Sequence, residues 1–121
     1  MREKITEKFY RDEFACKCLC GYDDINIPFV NALQVVRSAY GKPIRISSAC
    51  RCEAHNKAVN GSDSSSHKLG FAADIILPES ATDTKILITL CLRHFRRVFI
   101  YKTFIHVDCD PEKDQDVCRV Y

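Results

Sequence analysis

Apolar positions recur along this chain with two different periods, and each change of period marks an element. Val30, Leu33, Val36 and Tyr40 fall at helical spacing, which predicts an amphipathic helix. It begins near Asn26 and Pro28, a cap-like residue followed by a proline at an early helical position, and Gly41 with Pro43 stops it. Ile44-Arg45-Ile46-Ser47 alternates apolar and polar, the pattern of a short strand. A short helix over 52–59 ends before Asn60-Gly61, and 60–66 (NGSDSSS) is a loop by composition. A second strand over 72–77 is closed by Pro78. Thr82 is placed to cap a helix from about 83 to 95, with Ile86, Leu90 and Phe95 on its buried side. Strands over 98–101 and 104–109 leave only Lys102 and Thr103 between them, the spacing of a tight hairpin, although Lys-Thr is not a favoured turn pair. These elements predict a small α+β domain with helices packed on a central antiparallel or mixed sheet. No repeat or low-complexity linker divides the chain, so one domain is expected over 1–121.

Composition narrows the function classes. The 121 residues are 46% hydrophobic, enough for one compact core, and eighteen Lys and Arg against sixteen Asp and Glu leave a net charge of +2. That balance argues against a nucleic-acid binder, because such proteins concentrate positive charge. No apolar run approaches the ~20 residues of a membrane span. The opening MREKITEKFYRDEF is charged throughout and lacks the apolar core of a signal peptide, so synthesis in the cytoplasm is expected. A monomer is expected as well.

Eight cysteines stand at 16, 18, 20, 50, 52, 91, 109 and 118. Five of them form two tight groups, Cys16-Lys-Cys18-Leu-Cys20 and Cys50-Arg-Cys52. Structural zinc or disulfides linking the groups is one reading, but C-x-C is less diagnostic of zinc than C-x-x-C. Without a secretory signal the default is free thiols, buried or unpaired. Arg93, Arg96 and Arg97 read as the solvated end of a helix, near the negative pole of its dipole. The acids Asp108, Asp110, Glu112, Asp114 and Asp116 have the spacing of a calcium loop. Lys113 stands where that loop needs glycine and Arg119 where it needs the bidentate glutamate, so calcium is excluded.

The candidate chemistry lies around two of the four histidines. A catalytic zinc takes three His or carboxylate ligands and keeps one position open, and His67, Asp74 and His106 would supply that set. Gly70 lets the chain turn between His67 and the strand that carries Asp74. Ala72 and Asp74 share a face of that strand, and the small alanine leaves room beside the metal. His106 and Asp108 share a face of theirs, about 6.6 Å apart along the chain. The alternative is that each histidine is structural and that Asp74 ends a sheet or pairs with an arginine. No H-E-x-x-H is present, which excludes the thermolysin-type zinc helix.

Ser65-x-His67-x-x-Gly70-x-Ala72-x-Asp74 resembles the S-x-H-x-x-G-x-A-x-D signature of zinc D-alanyl-D-alanine peptidases, a group that includes phage murein endopeptidases and is similar to the hedgehog signalling domain. Phe104-Ile105-His106-Val107-Asp108 resembles the F-[IV]-H-V-D segment of one branch of that family. Upstream, Ser47-Ser48-Ala49-Cys50-Arg51-Cys52-Glu53-Ala54-His55-Asn56 is similar to its S-G-Y-R-C-P-x-H-N segment. Glu13-Phe14 with Cys16, Cys18, Cys20 and Gly21 resembles its E-F-x-C-x-C-G beginning. The four motifs are in order and run from about 13 to 108.

The resemblance implies zinc on His67, Asp74 and His106. It implies that Arg51, otherwise a surface charge, binds a substrate carbonyl or carboxylate, for which a guanidinium fork is suited, and that Ser65, otherwise a loop serine, makes a hydrogen bond with substrate. It places His55 and Asn56 in local structure, while His94 matches nothing and is a helix-end side chain. Many members carry a glutamate three residues before the last histidine, as the base that activates water. Here that position is Thr103, a lack the H-V-D branch shares, and Asp108 is the leading candidate for the base because it lies on the same side as His106, with holding a ligand histidine in place or binding the zinc itself as its rival roles. Ala49-Cys50 replaces the Gly-Tyr of S-G-Y-R, which alters one wall of the cleft. The implied activity is zinc-dependent hydrolysis of an amide bond in peptidoglycan peptides, by a carboxypeptidase or endopeptidase that acts at the bacterial cell wall if phage-encoded. The competing classes are a non-catalytic hedgehog-like module and a structural protein held by cysteine-bound metal.

Overall fold

Alternation along the central strands separates a helix-covered face from an open one, and that separation creates the site. The computed structural model describes residues 2–121. After a 3₁₀ turn at Arg11–Phe14, the elements run α1 (Ile27–Tyr40), β1 (Ile46–Ser48) and α2 (Glu53–Ala58). A 3₁₀ helix at Ser66–Leu69 leads into β2 (Ala72–Ile76), followed by α3 (Ala81–His94), β3 (Arg97–Ile100), β4 (Phe104–Asp108) and β5 (Val117–Val120). The strands form one mixed sheet in the order β1-β2-β4-β3-β5. Its pairs are antiparallel except β3 with β5.

Helix α1 starts as its sequence predicts. The Asn26 Oδ1 accepts from the Phe29 N–H at 2.9 Å, and Gly41 ends the helix in the left-handed region at φ 76°. Phe29, Val30, Leu33 and Val36 are buried on one side, where they meet Ala73, Ile75, Val98, Ile105 and Val107 of the sheet. Helix α3 packs beside α1 and adds Leu87 and Cys91 to the same core. Its cap is Ser80 rather than Thr82, with the Ser80 hydroxyl accepting from the Asp83 N–H. The buried stripe also sits one position further on than the sequence pattern implied, which leaves Ile86 43% exposed. Phe95, just past the helix, is buried with its ring 5.5 Å from that of Phe29. No helix among the described residues is long and apolar enough to cross a membrane.

The first strand begins two residues later than expected, since its pairing with β2 joins Ile46 to Ile75 and Ser48 to Asp74 with a register irregularity between. The hairpin forms despite its Lys102-Thr103 turn, closed by the Tyr101 N–H donating to the Phe104 carbonyl at 2.9 Å. Its register sets Val98 against Val107, Phe99 against His106 and Arg97 against Asp108. The last strand, β5, was not foreseen. It lies along the outer edge of β3, and the segment 109–116 that leads to it brings Lys113 into the cleft.

Gly70 occupies the turn between the 3₁₀ helix and β2 at φ +75°, and a Cβ there would stand 2.3 Å from the Asp24 carbonyl oxygen. Both the conformation and the space therefore demand glycine. A Gly70→Ala protein is expected to lose about 2 kcal/mol of stability, from left-handed strain of ~1–2 kcal/mol and a backbone contact that must yield. Urea denaturation checks it, and an unchanged midpoint contradicts it.

Candidate active site

On the open face, residues two apart on each strand line up across the sheet. One row is Asp74–His106–Phe99 and the next is Ala72–Asp108–Arg97. His67 enters from the 3₁₀ helix that precedes β2, and its ring centroid lies 5.0 Å from that of His106. The three sequence-predicted donors meet on one carboxylate oxygen. Asp74 Oδ1 is 3.2 Å from His67 Nε2 and 3.0 Å from His106 Nδ1.

The far nitrogen of each imidazole is committed elsewhere. His67 Nδ1–H donates to the Ala49 carbonyl at 2.7 Å, and His106 Nε2–H donates to Asp108 Oδ2 at 2.7 Å. A carbonyl and a carboxylate can only accept, so these partners fix the tautomers and aim both remaining lone pairs at Asp74. Neutral rings would then crowd three acceptors together with no proton between them. A cation among them, or protonation of the rings, relieves that repulsion. Burial opposes charge on His106, yet hydrogen bonds to Asp108 and Asp74 outweigh it and raise its pKa above the ordinary value. Burial likewise works against the Asp74 carboxylate, but hydrogen bonds from His106 and His67 hold its pKa well below the usual range.

Arg51 follows β1 and is pinned before any substrate arrives. Its Nε donates to Ser48 Oγ at 3.2 Å and its Nη1 to Asn56 Oδ1 at 3.1 Å, while Nη2 stands 3.6 Å from Asp74 Oδ2. Asn56, buried on α2, is itself fixed by donating to the Ser62 carbonyl. Burial lowers the Arg51 pKa, with Asp74 acting in opposition. Ser65 lines the same cleft, but its hydroxyl also accepts from the His67 N–H as the cap of the 3₁₀ helix. His55 and His94 lie outside the cleft lining.

Asp108 is placed where it can hold a ligand histidine, one of the two roles that rival the base. It is 1% exposed, and Oδ1 accepts from Arg97 Nε at 2.7 Å and from the Asp110 N–H at 3.2 Å. Its Oδ2 holds His106, so both oxygens are engaged, and hydrogen bonding to His106 keeps the carboxyl ionised against the effect of burial. That geometry argues against a general base and suits a group that orients the imidazole. Arg97 is the correction that accompanies it: 8% exposed, it is a buried partner of Asp108 and not part of a solvated helix end. Its Nη1 also donates to the Asp114 carbonyl. Arg96, by contrast, is exposed and pairs with Asp116. Thr103 sits exposed in the hairpin turn.

The cleft has a volume of about 370 Å³ and takes two residues from the C-terminal segment that sequence reasoning left unassigned. Lys113 Nζ donates to Ser66 Oγ at 3.0 Å, and Ser66 donates in turn to the buried Asp110 at 2.8 Å. Tyr121 stacks on Tyr101 at 4.7 Å, and Tyr101 on Phe104 at 4.4 Å, which makes an aromatic wall. The only signal for Lys113 was its failure to fit a calcium loop.

A small α+β domain that gathers two imidazoles, a carboxylate and a guanidinium on an open sheet face has the makings of a metal-dependent hydrolase. The peptidase M15 family matches residues 7–108, and the chain belongs to that family. No curated protein matches the chain significantly. M15 peptidases are zinc-dependent, and the convergent donor atoms of His67, Asp74 and His106 lie close enough to share one ion. The donor chemistry fits zinc, since two tautomer-fixed imidazoles and one carboxylate leave a fourth tetrahedral position free. Lys113 and Tyr121 lie beyond the matched residues.

Proposed function

We propose that the protein is a zinc peptidase that hydrolyses an amide bond in bacterial peptidoglycan peptides, as a carboxypeptidase or endopeptidase of the lysin kind. The observation that carries the proposal is the convergence of His67 Nε2 and His106 Nδ1 on Asp74 Oδ1 at 3.2 and 3.0 Å, in an aromatic-walled cleft that Arg51 also lines. Zinc held by these three residues supplies a Lewis acid that polarises an amide carbonyl and makes water acidic near neutral pH. The Ala49 carbonyl and Asp108 hold the two imidazoles in the ligating tautomer. Arg51, locked by Ser48 and Asn56, offers its guanidinium to a peptide carboxylate or carbonyl. Lys113, hydrogen-bonded to Ser66 and 3.8 Å from Asp110, lines the cleft with the Tyr101–Phe104–Tyr121 wall. The substrate class rests on the ordered motifs shared with murein peptidases, with Arg51 placed to meet a peptide carboxylate or carbonyl.

Digestion of purified peptidoglycan by the zinc-loaded protein, with released fragments identified by mass spectrometry, tests the activity and names the bond cut. Absence of released peptide from walls of several chemotypes would overturn the reading. Arg51→Ala is expected to keep zinc and fold but to lose kcat/KM by roughly 2 to 4 kcal/mol. An unchanged kcat/KM would return Arg51 to a structural role.

A further inference from the structure

Outside the cleft, four of the eight cysteines form a second convergent group. One Sγ each from Cys16, Cys18, Cys20 and Cys52 lies within 4.8 Å of all the others, and none of the eight cysteines is in a disulfide. Cys16 and Cys18 are 3.4 Å apart and Cys18 and Cys52 are 3.6 Å apart. Four thiolates at ~2.3 Å around one tetrahedral ion stand about 3.8 Å from one another, close to the spacing found here. We propose that these residues bind a structural zinc ion, distinct from the metal in the cleft.

The backbone is built for such a site. The Cys16 N–H donates to the Tyr22 carbonyl at 2.8 Å, closing the loop on itself, and the Leu19 N–H donates to the Cys16 carbonyl at 3.1 Å. Leu19 at φ 65° and Gly21 at φ 95° curl the chain so that alternate residues turn their sulfurs inward. Two further N–H groups point at sulfur, Cys52 to Cys16 at 3.4 Å and His55 to Cys52 at 3.3 Å. Such bonds stabilise the negative charge of metal-bound thiolates. The apolar core does not hold this loop, because Leu19 is 91% exposed and Lys17, Cys18 and Cys20 are exposed as well. A left-handed leucine in an unpacked loop is a costly conformation, and a metal cross-link accounts for it. Soft, four-sulfur, tetrahedral ligation selects zinc among the common divalent ions. Cys50, one residue from Arg51, takes no part, since it is buried in the core.

The site also explains how the cleft is held. Cys52 directly follows Arg51, and the Arg51 N–H donates to the His67 carbonyl at 3.0 Å. Ala49, which holds the His67 ring, lies three residues before Cys52. On the other side of the loop, the Tyr22 hydroxyl donates to the Lys68 carbonyl at 2.8 Å. The cysteine-bound ion therefore ties the N-terminal loop to the two segments that position Arg51 and His67.

Cobalt(II) replacing zinc in the purified full chain tests the site, since thiolate-to-cobalt charge transfer gives an intense near-ultraviolet band that imidazole and carboxylate ligands do not. The wild-type protein is expected to take up about two cobalt ions per chain and show that band. A His67→Ala/His106→Ala protein should keep about one ion and the whole band, so the result does not depend on the cleft reading. A Cys18→Ser/Cys20→Ser protein should lose the band. Should that variant fail to fold, thiol alkylation of the native wild-type protein still decides, with four cysteines protected until a chelator is added. The proposal is overturned if cobalt gives no thiolate band, if the four cysteines alkylate without chelator, or if the unreduced mass shows that they form disulfides.

Discussion

Alanine at His67 or at His106 is expected to remove most of the zinc from the cleft and all measurable peptide hydrolysis. Each ring supplies one of only three donors, and its remote nitrogen is already spent on Ala49 or Asp108. Two donors left from three hold a divalent ion weakly, and no other carboxylate stands free to substitute. Among the described residues lining the cleft, the carboxylates are Asp74 and Asp108, and Asp108 is closed off by Arg97 and His106. The fold should survive, because both rings lie on the open face, opposite the packed core of Ala73, Ile75, Ile105 and Val107. Metal analysis of each variant loaded with cobalt(II), with any ion on the cysteines counted separately by its thiolate-to-cobalt band, checks the assignment. Full occupancy of the cleft in both variants would defeat it.

The donor set was readable from sequence because it depends on local patterns. Asp74 and His106 sit on strands whose alternation is visible residue by residue, and Gly70 marks the turn that returns His67 to them. The hairpin carries the register as well as the strands. Counting outward from Lys102 and Thr103 pairs 101 with 104 and so reaches Arg97 opposite Asp108, the register found in the sheet. The helical period alone runs through to Phe95 and groups Arg97 with Arg93 and Arg96, whereas the strand starts at Arg97, one residue before its first apolar position. The strand β5 left no comparable trace. Its residues Val117, Cys118, Arg119 and Val120 are half-buried or exposed on an outer edge, and a parallel partner twenty residues away imposes no local turn signal. The contributions of Lys113 and Tyr121 to the cleft were hidden for the same reason. The cysteines were conspicuous in sequence, but spacing alone did not show that Cys52 faces the loop while Cys50 enters the core.

Asp108→Asn is expected to weaken zinc binding by about 10- to 100-fold and to destabilise the protein by roughly 3 kcal/mol. The carboxylate bridges two donors, Arg97 Nε at 2.7 Å on one oxygen and His106 Nε2 at 2.7 Å on the other. An amide keeps the shape but turns one acceptor into a donor. With its oxygen toward Arg97, the amide N–H₂ faces the His106 N–H, so the ring must rotate or move its proton to the nitrogen that should bind metal. With its oxygen toward His106, the amide faces the guanidinium, and a buried arginine is left with its charge unpaired. Either orientation costs, and both costs fall on largely buried groups. A general base at Asp108 predicts a different outcome: zinc and stability intact, with turnover reduced by about 10²-fold or more. Zinc titration and urea denaturation of the same variant, measured alongside turnover, separate the two. Loss of zinc affinity with loss of stability assigns Asp108 to holding His106 in place, whereas intact zinc with slow turnover would restore the base.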